Sequence, residues 1–138
     1  NMKNHITLTI NFVKEKLEGA EAGHDWFHIE RVWKLSKKIA EKEGGNLEVI
    51  ELSALLHDIA DPKFHNGDET LALKISQNFL EEIHIDTELI EQVLFVIKNI
   101  SFNSESGVFD LSDVSNGVYF IKAFTCLKRV VNYKIIKI

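Results

Sequence analysis

The chain has a single cysteine, Cys126, among 138 residues. That excludes an internal disulfide framework and a cysteine-rich zinc site, and it makes a reducing cytoplasm the expected location. No apolar run approaches the roughly 18 residues of a membrane span. The opening Asn1-Met2-Lys3-Asn4-His5 has no secretory pattern. Leu8 to Val13 is too short for a signal and is followed by Lys14, Glu15 and Lys16, so no signal peptide is expected and Met2 reads as the natural start. Basic charge is in short supply: 16 Lys and Arg face 21 Asp and Glu, a net charge of −5. This excludes a basic coat for a nucleic-acid duplex. A small phosphorylated substrate stays open, because a site's charge is local and a bound cation reverses it.

What is present suits an ordinary folded chain. Hydrophobic residues make up 45% and charged residues 27%, which fits one globular domain, or one domain with an appendage. The charge is unevenly placed. Residues 1–102 hold 11 basic and 18 acidic side chains and all six histidines, whereas residues 103–138 hold 5 basic and 3 acidic. The two parts differ in chemistry.

The first part reads as helices. Ile6, Ile10, Val13 and Leu17 recur on one helical face, and Gly19 and Gly23 close that helix. A second helix is predicted from about Trp26 to Glu43, with Ile29, Val32, Trp33, Ser36, Ile39 and Ala40 as its stripe. Gly44-Gly45 stops it and Asn46 caps the next. The third, about Leu47 to Ile59, is apolar nearly all round, which places it in the middle of the domain, and Pro62 stops it. A polar loop over Asp61 to Asp68 leads to a fourth helix, about Glu69 to Ile83, expected to bury Leu71, Ile75 and Phe79. A fifth starts near Asp86 or Thr87, ends near Ile100 and buries Leu89, Ile90, Val93, Leu94, Ile97 and Ile100. After Ser101 the pattern changes. Asn116-Gly117 is a turn signal, and Val118 to Thr125 and Val130 to Ile138 flank a polar pair, Lys128-Arg129. That arrangement predicts a β-hairpin, with imperfect alternation at Val130-Val131 and Ile135-Ile136.

Chemistry concentrates at His57-Asp58, which closes the most buried helix. Polar side chains there must be paired or must hold something. A neutral imidazole nitrogen and a carboxylate oxygen together suit a divalent first-row metal. Helical neighbours point about 100° apart, so both reach one ion only where the helix ends. His28 sits one position before Ile29 on the preceding helix and can face the buried one. The plainer reading is that a histidine on a core-facing stripe is a hydrogen-bonded core residue, and the residues alone leave both readings open.

Two strings resemble the HD-domain phosphohydrolases. Gly23-His24-Asp25-Trp26-Phe27-His28-Ile29-Glu30-Arg31-Val32-Trp33 is similar to the family's opening motif, and Glu51-Leu52-Ser53-Ala54-Leu55-Leu56-His57-Asp58-Ile59-Ala60-Asp61 to the element that names it. Lys63-Phe64, Gly67-Asp68-Glu69 and Ile100-Ser101-Phe102 point to the small bacterial HD hydrolases similar to nucleotide pyrophosphohydrolases. The resemblance covers about residues 5–102. It implies an all-α HD-domain helical bundle over 1–102, a metal held by His28, His57 and Asp58, and hydrolysis of a phosphate ester or anhydride, a nucleotide foremost. The implied cofactor is a divalent ion: Mn, Fe, Co, Ni, Zn or Mg. Arg31 and Lys63 become candidate cations for phosphate charge, Asp61 and Glu69 candidate bases or outer partners, and His24 and Asp25 orienting groups. Each has a plainer role as well. Arg31 and Lys63 also fit as surface charges, Asp61 as a cap to the turn into Pro62, Glu69 as a helix-start acid, and Asp25 as an N-cap.

The family pattern supplies a fourth ligand, an aspartate in an Asp-rich motif, and no such motif is found here. Residues 103–138 contain only Asp110 and Asp113, in settings that do not match. Instead Leu111 to Lys122 and Val130 to Lys137 resemble the end of the C-terminal sorting domains of type IX secretion cargo. The expectation is therefore a truncated HD domain with a short C-terminal β-hairpin-like appendage over 103–138, joined as if from another type of gene. Unpaired strand edges there would favour a homo-oligomer through the tail. An HD domain impaired in catalysis, binding a nucleotide or a protein partner, is the alternative to an enzyme.

Overall fold

The protein was examined as a computed structural model, which describes residues 1–20, 25–59, 65–101, 123, 125 and 127–129. Helices α1 (Met2–Lys16), α2 (Trp26–Glu43), α3 (Leu47–Leu56), α4 (Glu69–Glu82) and α5 (Thr87–Ser101) follow in order, and no strand occurs among the described residues. Their starts are written in short polar side chains. Asn1, Asp25, Asn46 and Asp68 each accept a hydrogen bond from the backbone N–H three residues on, satisfying a donor that the helix itself leaves open. Gly44 ends α2 with φ 81°, a backbone region that favours glycine, and its N–H bonds the Ala40 carbonyl at 2.7 Å.

Helix α3 is the axle of the bundle. Every residue from Val49 to Leu56 is buried, and the helix packs against α1, α2 and α5. Its all-round apolar surface allows this, because each flank meets a neighbour's stripe. From α2 come Ile29, Val32 and Ala40, from α1 Ile6 and Val13, and from α5 Ile90, Val93 and Val96. Phe12 of α1 stacks on Phe79 of α4, ring centroids 4.0 Å apart. Glu51, buried in α3, accepts from Trp33 Nε1 at 2.8 Å and ties α2 to the axle by a polar bond as well. None of the described helices is long and apolar enough to cross a membrane.

Two expectations need correction. Phe79 is buried as expected and Ile75 packs against the core, but Leu71 is 45% exposed, and Ala72, Ser76 and Leu80 complete the buried face of α4. The helix is rotated about one residue from the expected stripe, because two small residues let it pack closely where leucine was expected. Its end is also unusual: His84 takes φ 64° and lets Ile85 N bond the Leu80 carbonyl at 3.0 Å, closing the helix without a glycine.

The second correction concerns the hairpin. The described residues of the tail, Ala123, Thr125, Leu127, Lys128 and Arg129, are helical, including the pair expected to form the turn. Ala123 and Leu127, four apart, are both fully buried in the core, and Arg129 pairs with Glu43 at the end of α2. Strand preference measures fit to a half-buried pleated surface, and here one helical face meeting an existing core overrides it. The boundary at 102/103 and the stretches resembling a sorting domain, 111–122 and 130–137, lie outside the described residues.

Leu55→Ala is expected to cost about 2–5 kcal/mol through lost burial and a cavity, while Leu71→Ala stays within roughly 0.5 kcal/mol. Urea unfolding of the two variants beside wild type measures both. A large loss at position 71 would contradict the exposed placement.

Candidate metal centre

Three polar side chains meet where α2 begins and α3 ends. His28 lies in the first turn of α2, and the Asp25 carboxylate that caps this helix accepts directly from the His28 backbone N–H at 3.1 Å. Asp25 thus fixes the backbone of His28. His57 is the C-terminal cap of α3, still helical at φ −60°, ψ −38°, and Asp58 follows in the turn. Helical hydrogen bonding stops at Leu56, three residues before the predicted end. That early stop frees His57 and Asp58 from the fixed divergence of helical neighbours and lets them face the same point.

The distances are short and the groups are buried. His57 Nε2 lies 3.0 Å from Asp58 Oδ1, and His28 Nε2 lies 3.4 Å from Asp58 Oδ2. One donor atom from each of the three residues falls within 4.8 Å of the others. The imidazoles meet edge to face, centroids 6.1 Å apart. The proton on His57 can be placed. Its Nδ1 is 2.7 Å from the Ala54 carbonyl oxygen, an acceptor only, so Nδ1 carries the hydrogen and donates. In the neutral ring Nε2 then presents a lone pair to a carboxylate oxygen. Two acceptors held 3.0 Å apart inside a protein require a proton or a cation between them.

A divalent ion fits this donor set. Two imidazole nitrogens and a carboxylate are borderline ligands of the type first-row metals take. Ligands about 2.1 Å from an ion, at angles of about 90–110°, lie about 3.0–3.4 Å from each other, and each imidazole lies at such a distance from one of the two oxygens of Asp58. The Nδ1–H bond from His57 to a backbone carbonyl also matches the way ligating histidines are oriented.

The other expected site residues fare differently. Arg31 is exposed on α2, three residues beyond His28. Glu69 is the first residue of α4, and only its backbone is described. Asp61, Lys63 and His24 lie outside the described residues, as do Asp110 and Asp113. His65, just past the 60–64 stretch, donates from Nε2 to the Ile59 carbonyl at 3.1 Å and returns the chain to the turn after Asp58. The bond between Trp33 and Glu51 was not read from the sequence, and a buried glutamate six residues before His57 was the available signal. These two residues border a groove of about 490 Å³ on the α1 side, with Met2, Ile6, Ile10 and Lys37, and none of the three clustered residues lines it.

A family model described as the HD domain matches residues 26–116, a span that contains all three clustered residues. The chain belongs to the HD-domain family. The uncharacterised protein YpgQ of Bacillus subtilis (strain 168) is 32% identical over 93 residues, covering 66% of this chain and 44% of that protein. Among solved structures, an HD-superfamily hydrolase from Bacillus thuringiensis superposes with a TM-score of 0.68 at 36% identity, covering 94% of this chain and 58% of that one. A protein from Listeria innocua gives 0.66 at 29% identity, covering 94% and 55%. The chain therefore spans about half the length of the relatives it matches.

Asp25→Ala should destabilise the domain by about 0.5–2 kcal/mol, the usual cost of losing an N-cap. Thermal unfolding measures it, and an unchanged midpoint would show that the cap does not hold the start of α2.

Proposed function

We propose that the chain is a metal-dependent phosphohydrolase acting on a phosphate ester or anhydride, with a nucleotide as the foremost substrate. The observation that carries this reading is the approach of His57 Nε2 to Asp58 Oδ1 at 3.0 Å with His57 Nδ1 committed to a carbonyl. The resemblance of the motifs around His28 and His57 to nucleotide pyrophosphohydrolases supports the substrate class.

In this reading His28, His57 and Asp58 hold the ion. A bound divalent ion supplies Lewis acidity toward phosphoryl oxygens and makes a water more acidic. Arg31, exposed one turn beyond His28, neutralises charge on the phosphoryl oxygens, with Lys63 as a second cation. Asp61 or Glu69 takes the proton of the attacking water as the phosphorus–oxygen bond to the leaving group breaks. Burial of the three ligands keeps them aligned before substrate arrives, so little reorganisation is spent at the reaction.

A second reading is an HD domain that binds nucleotide without turnover. It is favoured by one observation: three donors, not four, gather among the described residues. Three protein ligands suffice in many catalytic zinc sites, so the count alone does not decide against catalysis.

Elemental analysis of the purified chain is expected to find about one ion per chain, and His57→Ala to lower metal affinity by more than the roughly 10- to 100-fold that outer-shell changes cause. With Mn, Co, Ni or Fe supplied, hydrolysis on a nucleotide panel should appear and vanish with chelator. Metal binding without turnover on any nucleotide would favour the second reading, and equal metal content in wild type and His57→Ala would end the first.

A further inference from the structure

Beside the cluster, α2 carries an exposed aromatic side chain with no role in the core. Phe27 is 66% exposed, the most exposed of the large hydrophobic residues described. It directly precedes buried His28. A lone exposed apolar residue is ordinary, and a second feature distinguishes this one. With about 100° per residue, Phe27 lies about 100° from His28 around the helix, and Arg31, three residues on, lies about 60° from His28 on that same side. Phe27 and Arg31 are also one turn apart, about 6 Å along the axis. Two other cations of α2 are engaged: Lys34 pairs with Glu30 and Lys37 lies over the Trp33 ring. Arg31 is exposed and makes no ion pair with a described residue. One flank of the first turns of α2 therefore presents, next to a candidate metal ligand, a flat aromatic face and an uncommitted guanidinium.

We propose that Phe27 is the stacking platform for the base of a nucleotide whose phosphates reach Arg31 and the His28–His57–Asp58 cluster. This rests on the phosphohydrolase reading and extends it to how the substrate's organic half is recognised. The two recognition elements suit the two halves of such a molecule. A planar heterocycle stacks on an aromatic ring and tolerates different bases, since every base has a π-face. A guanidinium forks onto phosphate oxygens. The one-turn separation corresponds to the sugar between them. The prediction is a site selective for nucleotides over plain polyphosphate but permissive among bases.

The test compares two ligands by calorimetry with Mn present: a nucleoside triphosphate with an imido-bridged, non-hydrolysable α,β link, and inorganic tripolyphosphate. Phe27→Ala is expected to weaken the nucleotide analogue by roughly 5- to 150-fold, the range found when a stacking aromatic is truncated, while tripolyphosphate binding moves less than about twofold. Phe27→Trp should retain the analogue. Phe27 is exposed, so both variants should fold, which circular dichroism verifies. If wild type binds both ligands equally, or Phe27→Ala weakens both alike, the stacking role is wrong while the phosphate site stands. If wild type binds neither ligand, the phosphohydrolase reading itself fails and takes this inference with it.

Discussion

The structure depends on a carboxylate placed where it cannot be left alone. Asp58 is buried between two imidazoles at the end of a helix that is apolar on every side. Burying a charge without compensation costs several kcal/mol, and the nearest groups can offer lone pairs as readily as protons. His57 is the sharper constraint. Its Nδ1 is bound to the carbonyl of Ala54, in its own preceding turn, so the ring's orientation is set by α3 and not by a flexible contact. The core around Leu52, Leu55 and Leu56 therefore fixes the direction of the imidazole, and packing and chemistry meet in one residue.

Much of this was legible in the sequence because it depends on local rules. The capping residues Asp25 and Asn46 and the glycine stop at Gly44 give the observed bounds of α2 and the start of α3, the all-round apolar character of Leu47 to Ile59 overruns the end of α3 by three residues, and these helices position the cluster. The early end of α3 was partly legible, since His57-Asp58 before Pro62 already demanded a break. What was not legible depends on three-dimensional neighbours. The buried face of α4 turned on whether Ala72 and Ser76 or Leu71 met the core, and helical spacing alone admits both. The runs on either side of Leu127 read as β by composition, yet Ala123 and Leu127 are buried in the core with residues from distant helices. The exposure of Phe27, by contrast, follows from spacing alone, since it falls off the apolar stripe of α2 and one turn before exposed Arg31.

Family membership and geometry contribute different things. The HD match and the two solved neighbours identify the scaffold, while the tautomer argument at His57 is independent of any relative. The span matched by the family contains the three residues that the geometry brings together. The chain also spans only about half the length of those relatives, and the Asp-rich motif expected from the resemblance is not found in its sequence. The described tail residues nevertheless close on the core, with Ala123 and Leu127 buried and Arg129 joined to Glu43 across 86 positions.

The origin of the three donors explains why such a departure is tolerable. His28, His57 and Asp58 come from a single helical hairpin, α2 and α3 joined by Gly44, Gly45 and Asn46, and among the described residues no donor comes from a later element. The hairpin is pinned internally by the Trp33–Glu51 bond as well as by its apolar seam. The centre is thus a self-contained module near the front of the chain. For these three donors the described residues of α4, α5 and the tail act as cladding, which can change without taking the hearth apart.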